Sequence, residues 1–281
     1  MRLVLPEPAA ARARAVADGS QPPVALQPAA TVVLLRDGPD GLQAYLQQRH
    51  SSLRFAAGMH AFPGGRVDPA DADLPASLWV PPGPGLWARR FGAPDAQAAA
   101  HGSAVVREVF EETGLLLAHA GPARHQPSWP DEADRLALSE QRVTLPDLLT
   151  GHGLWLDPAD LVGWSRWLTP RFERRRFDTW FFVAALPAGA DPRVATGESY
   201  GGRWVAVTDA VEQGAAGRLP MLPPTWWTLR ELAAACDVAA ALAHPPPMRT
   251  YTAGWVRRGE QVELVLPDDP AYPGEDPREG T

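Results

Sequence analysis

The string Arg107-Glu108-Val109-Phe110-Glu111-Glu112-Thr113-Gly114-Leu115 constrains this chain more than any other feature. Val105, Val106, Val109 and Phe110 repeat at the i, i+4 spacing of a buried helical stripe. A helix over roughly 96–113 follows, with Gly114 where a left-handed terminating residue is expected. On such a helix Glu108, Glu111 and Glu112 fall at i, i+3 and i+4, so their carboxylates leave one face within one turn. That crowding is unfavourable. Two unit charges about 6 Å apart repel by roughly 3 kcal/mol at an effective dielectric of about 20. The acids also sit at the negative end of the helix dipole. Arg107 offsets part of this through an i, i+4 pair with Glu111. A divalent cation relieves both penalties, and carboxylate oxygens are the ligands that Mg2+, Mn2+ or Ca2+ take. Read alone, the string also fits a solvated acidic face. The glycine stop, the apolar stripe and the upstream Pro63-Gly64-Gly65 argue against that. Two adjacent glycines let a backbone pass close to another group and expose a carbonyl or amides.

Around this helix the chain alternates strands and helices. A leader over 1–28 carries Pro6, Pro8, Pro22, Pro23 and Pro28, which oppose a long helix, with a short edge strand at Leu3-Val4-Leu5. Strands are expected over 31–35 and 44–48 as a hairpin turning at Asp37-Gly38-Pro39-Asp40. The Pro/Gly-rich stretch 72–97 reads as an inserted loop with one short helix. Further strands are expected over 115–118, 161–168, 179–186 and 202–207. Residues 131–152 read as helical but broken at Pro146, and 224–243 as one long amphipathic helix. A closing hairpin over 248–266 turns near Arg258-Gly259. Hairpins among the interleaved elements predict a mixed sheet. The main domain spans 29–270, with a tail over 271–281.

Composition excludes several classes. The net charge of −7 is the wrong sign for a duplex nucleic-acid binder. The 26 cationic residues are all arginine, whose planar fork suits phosphate oxygens. A lone Cys236 rules out an internal disulfide or a zinc site built from four cysteines. With no apolar run of about 18 residues, no signal-like start and no peroxisomal address at Arg278-Glu279-Gly280-Thr281, the expectation is a cytoplasmic protein without membrane contact.

The glycine pair and the acidic helix together resemble the Nudix box of the Nudix hydrolase family, G-x5-E-x7-R-E-U-x-E-E-x-G-U with U apolar. Gly65 opens the box. Arg107, Glu108, Val109, Glu111, Glu112, Gly114 and Leu115 complete its second half. Asp71 stands at the early Glu position, and 35 residues rather than seven separate it from Arg107. Upstream, Leu46, Arg49, Arg54, Gly58 and Phe62-Pro63-Gly64-Gly65 resemble the motif of coenzyme A diphosphatases, with His50 departing at a small-residue position. Trp164-Ser165-Arg166-Trp167-Leu168-Thr169-Pro170 and Arg174-Arg175-Arg176-Phe177-Asp178-Thr179 resemble the branch whose box is interrupted by an insertion.

The resemblance implies an α/β fold, a Nudix-type α/β/α sandwich around a mixed sheet, with an insertion in the box and a C-terminal helix plus hairpin. It implies Mg2+ or Mn2+ held by Glu108, Glu111, Glu112 and the Gly65 carbonyl, with Arg107 as an orienting partner and Glu198 as an additional metal-binding or basic residue. Arg49, Arg54, Gly58, Gly64 and Gly65 are the implied substrate contacts, and Arg171, Arg174, Arg175 and Arg176 a second cationic cluster. The implied reaction is cleavage of CoA or acyl-CoA to 3′,5′-ADP and (acyl-)phosphopantetheine. Hydrolysis of another nucleoside diphosphate derivative such as ADP-ribose is the alternative, and a non-catalytic ligand-binding module a third reading. A homodimer is an open assembly. His60 reads as structural, and Trp226-Trp227 as core.

Overall fold

The computed structural model describes residues 3–50, 58–120, 128–192, 199–259 and 261–272. The strands are β1 (Leu3–Val4), β2 (Leu26–Gly38), β3 (Gly41–Arg49), β4 (His60–Ala61), β5 (Gly64–Arg66), β6 (His119–Ala120), β7 (Leu154–Trp155), β8 (Val162–Leu168), β9 (Arg176–Ala185), β10 (Ser199–Ala206), β11 (Thr250–Thr252), β12 (Gly254–Arg258) and β13 (Gln261–Val265). The α-helices are α1 (Glu7–Ala17), α2 (Gly85–Phe91), α3 (Asp95–Thr113), α4 (Glu132–Ser139), α5 (Leu145–His152), α6 (Val207–Ala215), α7 (Pro223–Leu232) and α8 (Val238–Ala243).

Among the described residues the main sheet has eight strands. Its path is β10-β3-β2-β9-β8-β11, with β4 on β3 and β5 on β2. Pairs β2–β9 and β8–β11 are parallel and the others antiparallel, the mixed sheet expected from the sequence. Alternation along β2 sends Val32 and Leu34 into a cluster with Val105, Val106, Val109 and Phe110 of α3. Val33 and Leu35 join Trp226, Leu229 and Leu232 of α7 on the opposite face. Burial on both faces explains why the middle of β2 is an unbroken apolar run.

Four local readings change. The leader's prolines do not prevent an 11-residue helix, α1, because Pro6 is its N-cap and Pro8 lies in its first turn, where a missing N–H costs nothing. The edge strand expected beside it is present as β1, which pairs with β13. Leu115, Leu116 and Leu117 are buried in the core but form no strand; β6 begins only at His119. The long helix expected over 224–243 is two helices, because Asp237 accepts the Ala240 N–H at 2.7 Å and starts α8 afresh.

The inserted stretch is not an external loop. Trp79, Trp87 and Phe91 all enter the core beside α3. The Trp87 indole donates to the Leu161 carbonyl at 2.7 Å, and Phe91 stacks on Trp180 with centroids 4.0 Å apart. Gly102 makes room for this: a Cβ there would stand 1.9 Å from the Trp87 ring. The insertion thus braces the buried side of the helix that carries the three acids.

Candidate active site

α3 presents its apolar stripe to the sheet and its last turn to a cleft. Gly114, at φ 70°, ends the helix as expected, with its N–H on the Phe110 carbonyl. Glu108, Glu111 and Glu112 all line the cleft, as do Gly64 and Gly65. Strand β5 brings the glycines there by pairing Gly64 with Thr31 and Gly65 with Ala30. Both positions require glycine. Gly64 has φ 150°, and a Cβ on it would lie 2.4 Å from the Ala30 carbonyl oxygen; one on Gly65 would lie 2.4 Å from the Glu108 carboxylate. The Gly64 N–H donates to Glu112 Oε2 at 3.1 Å.

Arg107 organises the rest. It donates to Asp71 through Nε at 2.9 Å and Nη2 at 3.0 Å, a bidentate pair. Nη2 also reaches the Arg66 carbonyl at 3.0 Å, while Nη1 reaches Glu108 at 3.1 Å and Glu111 at 3.4 Å. Asp71 is 2% exposed and accepts the Asp68 N–H at 2.8 Å. The residue that departs from the box by type and spacing is therefore the carboxylate that seats the box arginine. Sequence reading missed this role because 35 residues separate the pair. Arg135 was also missed. Its Nη1 donates to the Glu111 carbonyl at 2.8 Å, setting a cation at the negative end of α3.

Burial of the acids shows in their protonation. Burial pushes Glu108 up to about 7, although the adjacent Arg107 charge opposes it. Glu111 is raised for the same reason against the same opposition. Burial alone would loosen the Arg107 proton, but its bonds to Asp71 and the surrounding carboxylates reverse the direction and hold it firmly cationic.

Three carboxylates and a glycine carbonyl form a hard-oxygen donor set, which fits Mg2+ or Mn2+ chemically. As placed, however, no three His, Cys, Asp or Glu side chains among the described residues stand gathered as a metal-ligand cluster. Arg107 engages Glu108 and Glu111, and the Gly64 amide engages Glu112.

The cleft has a volume of about 1660 Å³. Arg49, Arg66 and Arg175 line it. Of the expected cluster, Arg175 alone does so. Arg176 is buried and donates to the Thr169 and Val24 carbonyls, and Arg174 borders a separate hollow beside Arg12. Gly58 closes a turn by donating to the Arg49 carbonyl at 3.1 Å and is not part of the cleft lining. Arg54 and Glu198 lie outside the described residues. His60 donates its backbone N–H to the Pro220 carbonyl and brings ring Nδ1 within 3.3 Å of the same oxygen. Trp226 and Trp227 pack in the core. Among the described residues no helix is long and apolar enough to cross a membrane.

No family model matches the chain. The acyl-coenzyme A diphosphatase NUDT19 of Homo sapiens is 30% identical over 241 residues, covering 69% of this chain and 61% of that protein. Its Gallus gallus counterpart is 30% identical over 234 residues, covering 69% of this chain and 62% of that protein. A crystal structure of a Nudix hydrolase from Alicyclobacillus acidocaldarius superposes with a TM-score of 0.69 at 27% identity, covering 80% of this chain and 98% of that one. The chain belongs to the Nudix hydrolase family. This Nudix chain spans about three fifths of the length of its curated relatives. Its fold is the α/β Nudix architecture expected from the box, with the interruption of the box absorbed into the core.

Proposed function

We propose that this chain is a metal-dependent diphosphatase that hydrolyses CoA or acyl-CoA to 3′,5′-ADP and (acyl-)phosphopantetheine. The observation that carries this reading is the meeting of the acidic α3 wall and the Gly64-Gly65 turn in one arginine-rimmed cleft. Likeness to relatives named acyl-coenzyme A diphosphatase supports the substrate. Glu108, Glu111, Glu112 and the Gly65 carbonyl would hold Mg2+ or Mn2+. Such an ion supplies charge neutralisation on the diphosphate and acidifies a bound water.

The chain's own residues do the remainder. Arg107, fixed by Asp71, keeps Glu108 and Glu111 aimed at the cleft. Arg49, Arg66 and Arg175 attract a polyanion that a chain of net charge −7 would otherwise repel. Arg54 and Glu198 join this assignment on sequence grounds, as a phosphate contact and a basic or metal-binding group. Water oxygen bonds to one phosphorus while the bond from that phosphorus to the bridging oxygen breaks. One water is consumed, and its protons pass to the two new phosphate ends or to solvent.

The test is release of 3′,5′-ADP from CoA with Mn2+ or Mg2+, run beside ADP-ribose. Metal-dependent release from CoA is expected. Turnover of ADP-ribose alone removes the CoA assignment, and no turnover of either favours a ligand-binding module.

A further inference from the structure

The cleft continues well past the acidic wall. Ala29, Thr179 and Trp167 stand opposite one another on β2, β9 and β8, a row across three strands that forms its floor. Phe62 and Phe181 flank that row, edge to face with centroids 6.4 Å apart, and Ala253 closes it from beyond β11. The backing is rigid. Trp167 packs on Tyr251 at 4.8 Å, and Glu231 accepts from Tyr251 at 2.8 Å, Trp164 at 2.9 Å and Trp227 at 3.0 Å.

We infer that this floor receives the acyl arm of an acyl-CoA, so that the chain selects long-chain thioesters over free CoA; the inference rests on the CoA reading above. Two observations favour an acyl arm over a nucleobase. A purine edge buried here would need hydrogen-bond partners. Trp167 keeps its Nε1 buried, and the nearby Thr31 hydroxyl already donates to the Pro63 carbonyl at 2.6 Å. The volume of about 1660 Å³ also exceeds the roughly 300–1,000 Å³ of an ordinary small-ligand pocket. It has room for a diphosphate head and a chain together.

The experiment measures kcat/KM for free CoA, acetyl-CoA, hexanoyl-CoA and decanoyl-CoA on the full chain with Mn2+, reading 3′,5′-ADP. Burial of added methylenes predicts at least about a tenfold rise from acetyl to decanoyl. In Ala253→Phe the decanoyl-to-acetyl ratio falls toward one; Thr179→Leu serves if that variant does not fold. A flat series on the wild-type chain, with CoA itself hydrolysed, overturns the acyl floor and leaves the diphosphatase reading standing. An unchanged ratio in the folded variants overturns it too. Release from no member of the series removes both.

Discussion

Removing the Asp71 carboxylate would leave Arg107 surrounded only by acids that the cleft needs. The pair is bidentate and Asp71 is almost fully buried, so Asp71→Asn is expected to cost about 2 kcal/mol in urea unfolding. Turnover of CoA should fall as well, because Arg107 then re-pairs with Glu108 and Glu111. A loss under about 0.5 kcal/mol would show that its other partners suffice. Glu108 makes a second, opposite prediction. Burial raises it from 4.5 to about 7, so the folded state holds its proton more tightly than the unfolded chain. Its contribution is full below pH 4.5 and is lost as pH rises to about 7, on the order of 3 kcal/mol. Metal-free protein should therefore melt lower at pH 7.5 than at pH 5.5, and Glu108→Gln should flatten that slope. Parallel slopes in the two proteins would assign the pH dependence elsewhere. Glu112→Gln should abolish metal-dependent turnover while the circular dichroism spectrum is retained; full turnover would remove Glu112 from the proposed ligand set. At this scale the sequence exposed the three acids and Arg107 because they are neighbours on one helix. Asp71 and Arg135 stayed hidden because their partners are 36 and 24 residues away.

α3 is where local pattern and tertiary packing agree most closely. Its stripe, its acidic turn and its glycine stop were all readable, since helical period and cap chemistry are properties of adjacent residues. The hairpin of β2 and β3 was readable for the same reason. What failed was weaker local signal overruled by distant contacts. Proline and glycine made 72–97 look like loop, while Trp79, Trp87 and Phe91 within it fill the interior. Asp237 looked like one polar residue on a helical face and proves to be a cap. Leu115–Leu117 had the composition of a strand but found core contacts without a ladder partner. The contact between α2 and α3 is testable. Gly102→Ala gains about 1 kcal/mol of helix propensity, yet its methyl would meet the Trp87 ring. The net expectation is a loss of about 2 kcal/mol, and Trp87→Leu should make the added methyl nearly harmless in a double-mutant cycle. Additive losses would mean that the helix shifts instead.

As a whole the molecule is acidic while its cleft is rimmed by Arg49, Arg66 and Arg175. Screening should weaken that local attraction. KM for CoA is expected to rise severalfold between about 0.05 and 0.5 M salt with little change in kcat, and Arg175→Gln should reduce the slope. A salt-independent KM would mean that the arginines do not steer the substrate. The family and the layer order were legible because the box is local and specific; the path of the C-terminal segment was not. It crosses to pair β11 with β8, and then returns to pair β13 with the N-terminal strand. The braced insertion also sets a limit on redesign. Trimming the spacer to the seven residues of the family pattern would excise two tryptophans and a phenylalanine from the interior, hollowing out the support beneath the acidic turn. A minimal version of this protein must be made by cutting elsewhere.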